Sequence, residues 1–322
     1  MTFAAPCAGP VPLASVVVPT HAGALRLPGL LTALATQDYP EIEIVVVIDG
    51  DVDGSELVVR RHLGELGRPA QVVVLPENQG RAAALTAGFA AARGEVLIRC
   101  DDDLELGPGF VGGHVARHTE AAEAIGVVGL CRNTFPDTPY ARAYGAPTDH
   151  AARATAYLAP ADSTWRFWGG NVSVTRATYD RIGPYDGEFR AYGWEDVDWG
   201  YRLHLAGIPI VIARELEVVH HLAAVTTALR AGRAYHSGAA RAHFQAKHPA
   251  ARIAGGPLPP ATWRTTAWHL LVSLAAPVCR PPHLQRVGRV ADGVARWVPR
   301  PVGRKVVAAV VEGAAQAGAS GR

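Results

Sequence analysis

Four short β-branched runs, each closed by a polar or acidic residue and each separated from the next by a segment of helical spacing, constrain this chain more than any other feature. "SVVVP" at 15–19 precedes leucines 25, 27, 30, 31 and 34, and "EIEIVVVIDG" precedes a helical stretch over 55–66. "AQVVVLPEN" then precedes the alanine-rich "GRAAALTAGFAAARG", and "EVLIRCDDD" follows. Strands that are apolar throughout, rather than alternating, are covered on both faces. With helices between them they predict a mostly parallel sheet flanked by helices, an α/β fold. Such sheets bind ligands in the crevice beyond the carboxyl ends of their strands. Thr20-His21, Asp49 and Asp101–Asp103 stand at three of those ends.

From about residue 132 the alternation loosens. "WGGNVSV" at 168–174 predicts a loop leading into a strand, and "GWEDVDWGYRLHLAG" at 193–207 a helix that opens with acids and stops at Gly207. "IPIVIA" and "ELEVVHH" predict two further short strands. Beyond about 222 the pattern is helical, broken by "GGPLPP" at 255–260, and the terminal "GAAQAGASGR" is expected to be disordered. The expected organisation is a flexible 1–13, a sheet domain over 14–225 and a basic helical region over 226–322. The sheet domain is expected to divide into two halves, 14–103 and 104–225.

Charge is unevenly spread. Residues 229–322 carry 14 Lys and Arg against Asp292 and Glu312 alone, a net +12, while the remainder carries 17 basic and 27 acidic residues, a net −10. A basic tail on an acidic body suits an anionic partner such as a membrane surface, although arginine-rich, alanine-rich composition produces the same count without one. The four cysteines are scattered without a CxxC pair, which argues against a structural zinc site and fits a reducing compartment. No signal peptide and no apolar run of about 18 residues is evident, so a cytoplasmic protein, peripheral at a membrane at most, is expected.

The motifs are weak one at a time. Three adjacent carboxylates at Asp101–Asp103 make either a solvated turn or a seat for magnesium or manganese, ions that take hard oxygen ligands. Asp49, Asp51, Asp53 and Gly54 have the spacing of a calcium loop, but Arg60 stands at its twelfth position and a strand precedes it. Asn78 and Arg81 at a helix start favour an anion such as a diphosphate, or cap the helix. Glu195, Asp196 and Asp198 lie in one helical turn between Trp194 and Trp199; capping accounts for acids there, not for two indoles beside them. Indole faces stack on sugar rings, and an adjacent carboxylate can act as a general base. His220 and His221 end a strand, where one of them could complete a metal shell.

Taken in order, these segments resemble the family 2 inverting glycosyltransferases of the GT-A fold, over about Ser15 to His221. "VVVPTHAG" is similar to the opening strand of that family, with His21-Ala22 in place of its usual aromatic-Asn pair. "VVVIDGDVDGS" resembles its acidic turn, with Gly50 where a second Asp is common, and "ENQGRAAALTAGFAAARGEVLIRCDDD" runs through to its metal-binding DxD motif. "WGGNVSVTRATYDRIGPYDGEFRAYGWEDVDWGYRLHLAG" carries the most specific part, including the Gly183–Asp186 step and the Glu-Asp pair.

The resemblance implies a nucleoside-diphosphate sugar donor, UDP-linked by family frequency, and a divalent Mn2+ or Mg2+ cofactor. It assigns Pro19, Thr20, Asp49, Asn78, Arg81, Asp101, Asp102, Gly170 and Asn171 to the nucleotide sugar, Asp49 to its base in particular. Asp101, Asp103 and His220 are implied metal ligands, with His221 as the alternative in the doubled pair. Asp196 is implied as the base that deprotonates the acceptor hydroxyl, with Glu195 beside it and Trp194 and Trp168 on the acceptor side. The implied acceptor is a glycan, a lipid-linked saccharide or a natural product, with no nucleic acid; the oligomeric state stays open. A sugar-1-phosphate nucleotidyltransferase would want a glycine-rich loop that "PTHAGALR" does not supply, and a non-catalytic nucleotide-sugar-binding protein would not need the metal and base positions. Polyprenyl-phosphate sugar synthases usually lack a segment like "GWEDVDWG".

Overall fold

Residue alternation along the first two strands divides the interior into two cores. In a computed structural model that describes residues 11–65, 67–190, 193–253 and 262–321, every residue of β1 (Ala14–Thr20) and β2 (Ile42–Asp49) is buried. Val16, Val18, Ile44 and Val46 face Leu27, Leu30, Leu31 and Leu34 of α1 (Leu27–Ala35). Val17, Val45 and Val47 point the other way, onto Leu85 and Phe89 of α3 (Arg81–Ala91), while α2 (Ser55–Leu63) buries Val59 on the α1 side. Burying each such side chain contributes about 1.5–3 kcal/mol, so this register is strongly specified. Leu25, expected on the first helix face, precedes the helix and is 97% exposed.

β3 (Ala70–Leu75) and β4 (Val96–Cys100) complete the parallel part, and the strands lie in the order β3-β2-β1-β4. The chain thus steps outward on one side of β1 and returns to its other side, and the crevice opens where that order reverses. β5 (Leu104–Glu105), α4 (Phe110–Glu120), β6 (Gly126–Val128) and β7 (Cys131–Asn133) follow. A π-helical turn at Ala141–Gly145 leads into α5 (Ala146–Tyr157); β8 (Asn171–Thr175), α6 (Arg176–Ile182), α7 (Glu195–Leu205), β9 (Ile210–Ile212) and β10 (Val218–His220) come next. β8 runs antiparallel between β4 and β6, and β9 extends the edge to a seven-stranded sheet. A small second sheet, β5-β10-β7, sets His220 opposite both Leu104 and Asn133.

Among the described residues four α-helices follow: α8 (Thr227–Lys247), α9 (Trp263–Ala275), α10 (Pro281–Trp297) and α11 (Arg300–Ala319). The boundary expected at 225/226 falls just before α8, whose Phe244 is fully buried in the same core as Trp165 and Tyr201. The expected terminal disorder is corrected: α11 runs to Ala319, because glycines let helices approach closely there. A Cβ on Gly318 would stand 1.8 Å from the Tyr235 carbonyl oxygen of α8. The break expected at 255–260 lies outside the described residues, as does 1–10 of the expected flexible N-terminus.

Candidate active site

A cleft of about 450 Å³ opens at the carboxyl ends of β1, β2 and β4. Pro19, Thr20, Asp49, Asn78, Arg81, Asp101, Asp102, Asp103, Glu195 and His220 line it, so most of the residues expected at the site meet there. His21, noted at a strand end but given no role, also lines it, as do Arg26, Arg190, Leu222 and Arg233, which the sequence reading missed. Only His21, at a strand end, carried a signal; the others reach the cleft from loops and from α8.

The three adjacent aspartates are separated by their partners. Asp101 accepts from Arg99 Nε at 2.9 Å and Nη2 at 3.3 Å, and Arg99 is fully buried. Burial alone would raise the Asp101 carboxyl, but Arg99 and Arg81 outweigh it and hold it below its ordinary value. Asp102 accepts from Thr20 Oγ1 at 2.5 Å and Arg26 Nη2 at 2.7 Å, while burial raises its carboxyl. Asp103 faces His220, Oδ2 to Nε2 at 2.9 Å, and its Oδ1 is buried with no hydrogen-bond partner. Gly170 is required beside them, since a Cβ there would lie 2.4 Å from Asp101 Oδ2.

Hard carboxylate oxygens, an imidazole and an orphaned buried oxygen on Asp103 fit a small divalent cation. Asn133 Oδ1 lies 2.6 Å from His220 Nδ1 and so orients the ring, as partners of metal-binding imidazoles do. Of the doubled pair, His220 lines the cleft, whereas His221 lies outside it, beside Glu105 at 3.0 Å. Among the described residues, Asp186, Glu188 and His243 are also near enough to share an ion, but the Lys247 ammonium sits on Asp186 at 2.5 Å and already supplies a positive charge there.

Asp49 is buried and accepts from the backbone N–H groups of Gln79 at 2.7 Å and Gly80 at 2.9 Å. It therefore shapes the turn into α3, and Gly50 is needed because a Cβ there would meet Asn78 N at 2.7 Å, with φ at +77°.

At the start of α7, Glu195 and Asp196 diverge. Glu195 is buried, receives Arg81 Nη1 on Oε1 at 3.3 Å, and has an Oε2 without a partner. Burial, then the neighbouring charge of Asp196, raises its carboxyl to about 7. Asp196 Oδ1 is instead taken by Arg99. Asp198 is fully buried and structural, tied to Arg202, Lys247 and His248.

The expected acceptor-binding indoles are elsewhere. Trp168 is 4% exposed, stacked on Trp199 at 5.2 Å and donating to Tyr185 Oη, so no sugar reaches its faces. The aromatic residues around the Glu-Asp pair form core because α7 packs its inner face there. Trp194, at φ 72°, packs on Phe244 at 5.2 Å and donates to Ser237 Oγ at 3.0 Å. It anchors the residue before Glu195 to α8. Asn171 is likewise interior: its amide joins His114 and the Leu216 carbonyl.

The sequence profile of glycosyl transferase family 2 matches residues 15–181, and that of the "N-terminal domain of galactosyltransferase" matches 149–224. A validoxylamine A glucosyltransferase of Streptomyces hygroscopicus subsp. jinggangensis is 32% identical over 232 residues, covering 64% of this chain and 54% of that protein. An undecaprenyl-phosphate 4-deoxy-4-formamido-L-arabinose transferase of Pseudomonas fluorescens is 35% identical over 136 residues, covering 41% of this chain and 39% of that protein. The chain spans about half the length, or less, of these curated relatives. Among solved structures, the Pyrobaculum calidifontis mannosyltransferase PcManGT, in complex with GDP-Man and Mn2+, has a TM-score of 0.65 at 20% identity, covering 95% of this chain and 87% of that one. S. aureus TarS 1–349 in complex with UDP has 0.51 at 16% identity, covering 92% and 90%; both likenesses concern the fold. With a family profile that runs from β1 through nearly all of α6, and a fold shared with glycosyltransferases, this chain belongs to glycosyl transferase family 2.

Proposed function

We propose that the chain transfers a sugar, with inversion, from a nucleoside-diphosphate sugar to an acceptor hydroxyl, assisted by Mn2+ or Mg2+. One observation carries this reading: a single cleft is lined by two carboxylates, Asp103 and Glu195, each with one buried oxygen that lacks a hydrogen-bond partner. An unsatisfied buried polar atom costs about 1–3 kcal/mol, which a bound ligand relieves. The relatives are named as sugar transferases, and the GDP-Man and UDP of two solved neighbours support a nucleotide-sugar donor; a UDP-linked one is favoured on family frequency alone.

Pro19, Thr20 and Asn78 wall the donor side of the cleft. Asp49 spends one lone pair of each oxygen on the turn at 79–80, and the others remain for the nucleoside. Asp103 and His220, with Asp101 alongside, would hold the cation, which neutralises charge on the departing diphosphate. Arg81, protonated throughout, adds a second positive charge beside Glu195.

In the reaction the acceptor oxygen bonds to the anomeric carbon as the carbon–oxygen bond to the diphosphate breaks, its electron pair leaving on the phosphate oxygen. The hydroxyl proton passes to a carboxylate of the Glu195–Asp196 pair. The sequence reading put it on Asp196; because Arg99 occupies Asp196, Glu195 Oε2 is the oxygen the proposal assigns. Such a base contributes about 10²–10⁴-fold in rate.

The test is thermal stability against a panel of nucleoside diphosphates, with and without manganese. Ligand at a hundredfold excess over Kd stabilises by about 2.7 kcal/mol. A shift with one nucleotide that needs manganese and is lost in Asp103→Ala is expected; no shift with any of them overturns the donor reading.

A further inference from the structure

Two more cavities continue from the active-site cleft toward the C-terminal helices. The first, about 270 Å³, shares His220 and Arg233 with the cleft and is walled by Phe135, Tyr140 and Tyr144. The second, about 650 Å³, shares Tyr144 and Thr148 with the first. Thr148 Oγ1, on the wall between them, is buried and has no partner. The second cavity is a groove between the turn at Ala141–Gly145 and the first turns of α11, and its rim bears Arg300, Arg304 and Lys305. Among the described residues no carboxylate pairs with any of these three, whereas the nearby Arg142 is paired with Asp137, and Glu312 accepts from Trp268 Nε1 at 2.7 Å.

Trp268 brings α9 into the wall of this groove. The same helix turns Leu270, Leu271 and Leu274 outward at 61%, 46% and 72% exposure. A groove rim with three cations against one carboxylate, Glu312, and an exposed apolar face on the helix that lends Trp268 to its wall complement an amphiphile with an anionic head, and not a free polar sugar.

We propose that the acceptor is a lipid-linked, phosphate-bearing saccharide: its phosphate seats on Arg300, Arg304 and Lys305, its chain lies along α9, and its saccharide extends through the aromatic cavity toward Glu195. This rests on the reading of the cleft as the transfer site, and assigns the acceptor class and its route.

The test is calorimetric titration of the full chain with farnesyl phosphate below its micellar concentration, with farnesol and inorganic phosphate as separate arms. Saturable binding of farnesyl phosphate is expected, at least tenfold tighter than farnesol or inorganic phosphate. Binding weakened at least tenfold in Arg304→Glu/Lys305→Glu, and in Leu271→Asp/Leu274→Asp, is expected too. Equal binding of farnesol overturns the phosphate seat, equal binding of inorganic phosphate overturns the lipid link, and unchanged binding in the variants overturns the site. Manganese-dependent nucleotide stabilisation, measured on the same variants, is expected to be retained. Its absence from the parent chain would instead sink the donor reading, so the two failures are distinct.

Discussion

Arg99, inside β4, and Asp196, in the first turn of α7, are ion-paired although 97 residues apart in sequence. The same guanidinium holds Asp101, so one fully buried cation ties the end of the central sheet to the acidic helix start. This pairing leaves Glu195, and not Asp196, with the open oxygen in the cleft.

Glu195→Gln is therefore expected to lower kcat by about 10²–10⁴-fold, the usual contribution of a general base. Asp196→Asn is expected to lower it less. Steady-state rates of the two variants decide the matter, and a larger loss in Asp196→Asn returns the proton to Asp196.

The pH dependence follows from the same carboxyl. Glu195 titrates near 7 when folded, against 4.5 for an ordinary glutamate, so between those values the folded chain binds a proton that the unfolded chain has released. Stability from this group is full below about pH 4.5 and is lost as pH rises through 7. Melting curves should show Glu195→Gln gaining relative to the parent chain above pH 7. The rate needs the carboxylate, so kcat/KM is expected to rise through a midpoint near 7; a rate that falls over that range excludes this base.

Asn133→Ala is expected to weaken metal affinity roughly 10–100-fold, as loss of a partner that orients a ligating imidazole does. Manganese titration of nucleotide-bound protein measures it. His221→Ala serves as the control and should behave as the parent, because that ring stands outside the cleft.

Phe244→Ala is expected to cost about 3–5 kcal/mol in urea unfolding, in one transition with the sheet. A separate early transition would show that α8 and the sheet domain fold independently. Trp194 leans on Phe244, so the same variant should also impair Glu195-dependent turnover.

Much of the fold was legible along the chain, because covered parallel strands and their crossover helices are local patterns. The apolar runs at 15–19 and 42–49 located the central strands, and turn residues placed the acids at their ends. The second sheet was less legible: β5 and β7 are two and three residues long, too short for a period to register.

What the residue order determined by itself was which side chains could gather at one sheet edge, since strand direction decides where Thr20, Asp49 and Asp101–Asp103 emerge. Tertiary structure decided how they are used. Partners far away in sequence, Thr20 and Arg26, turn Asp102 away, whereas Asp101 is held by Arg99 two residues before it and Asp103 keeps one oxygen open. Packing sends Trp168 inward and seals it, and it carries the helix at 227–247 under Trp194. Partner choice and burial depend on three-dimensional neighbours, which composition and spacing do not encode, and at this site they separate the groups left open to a ligand from those that hold the fold.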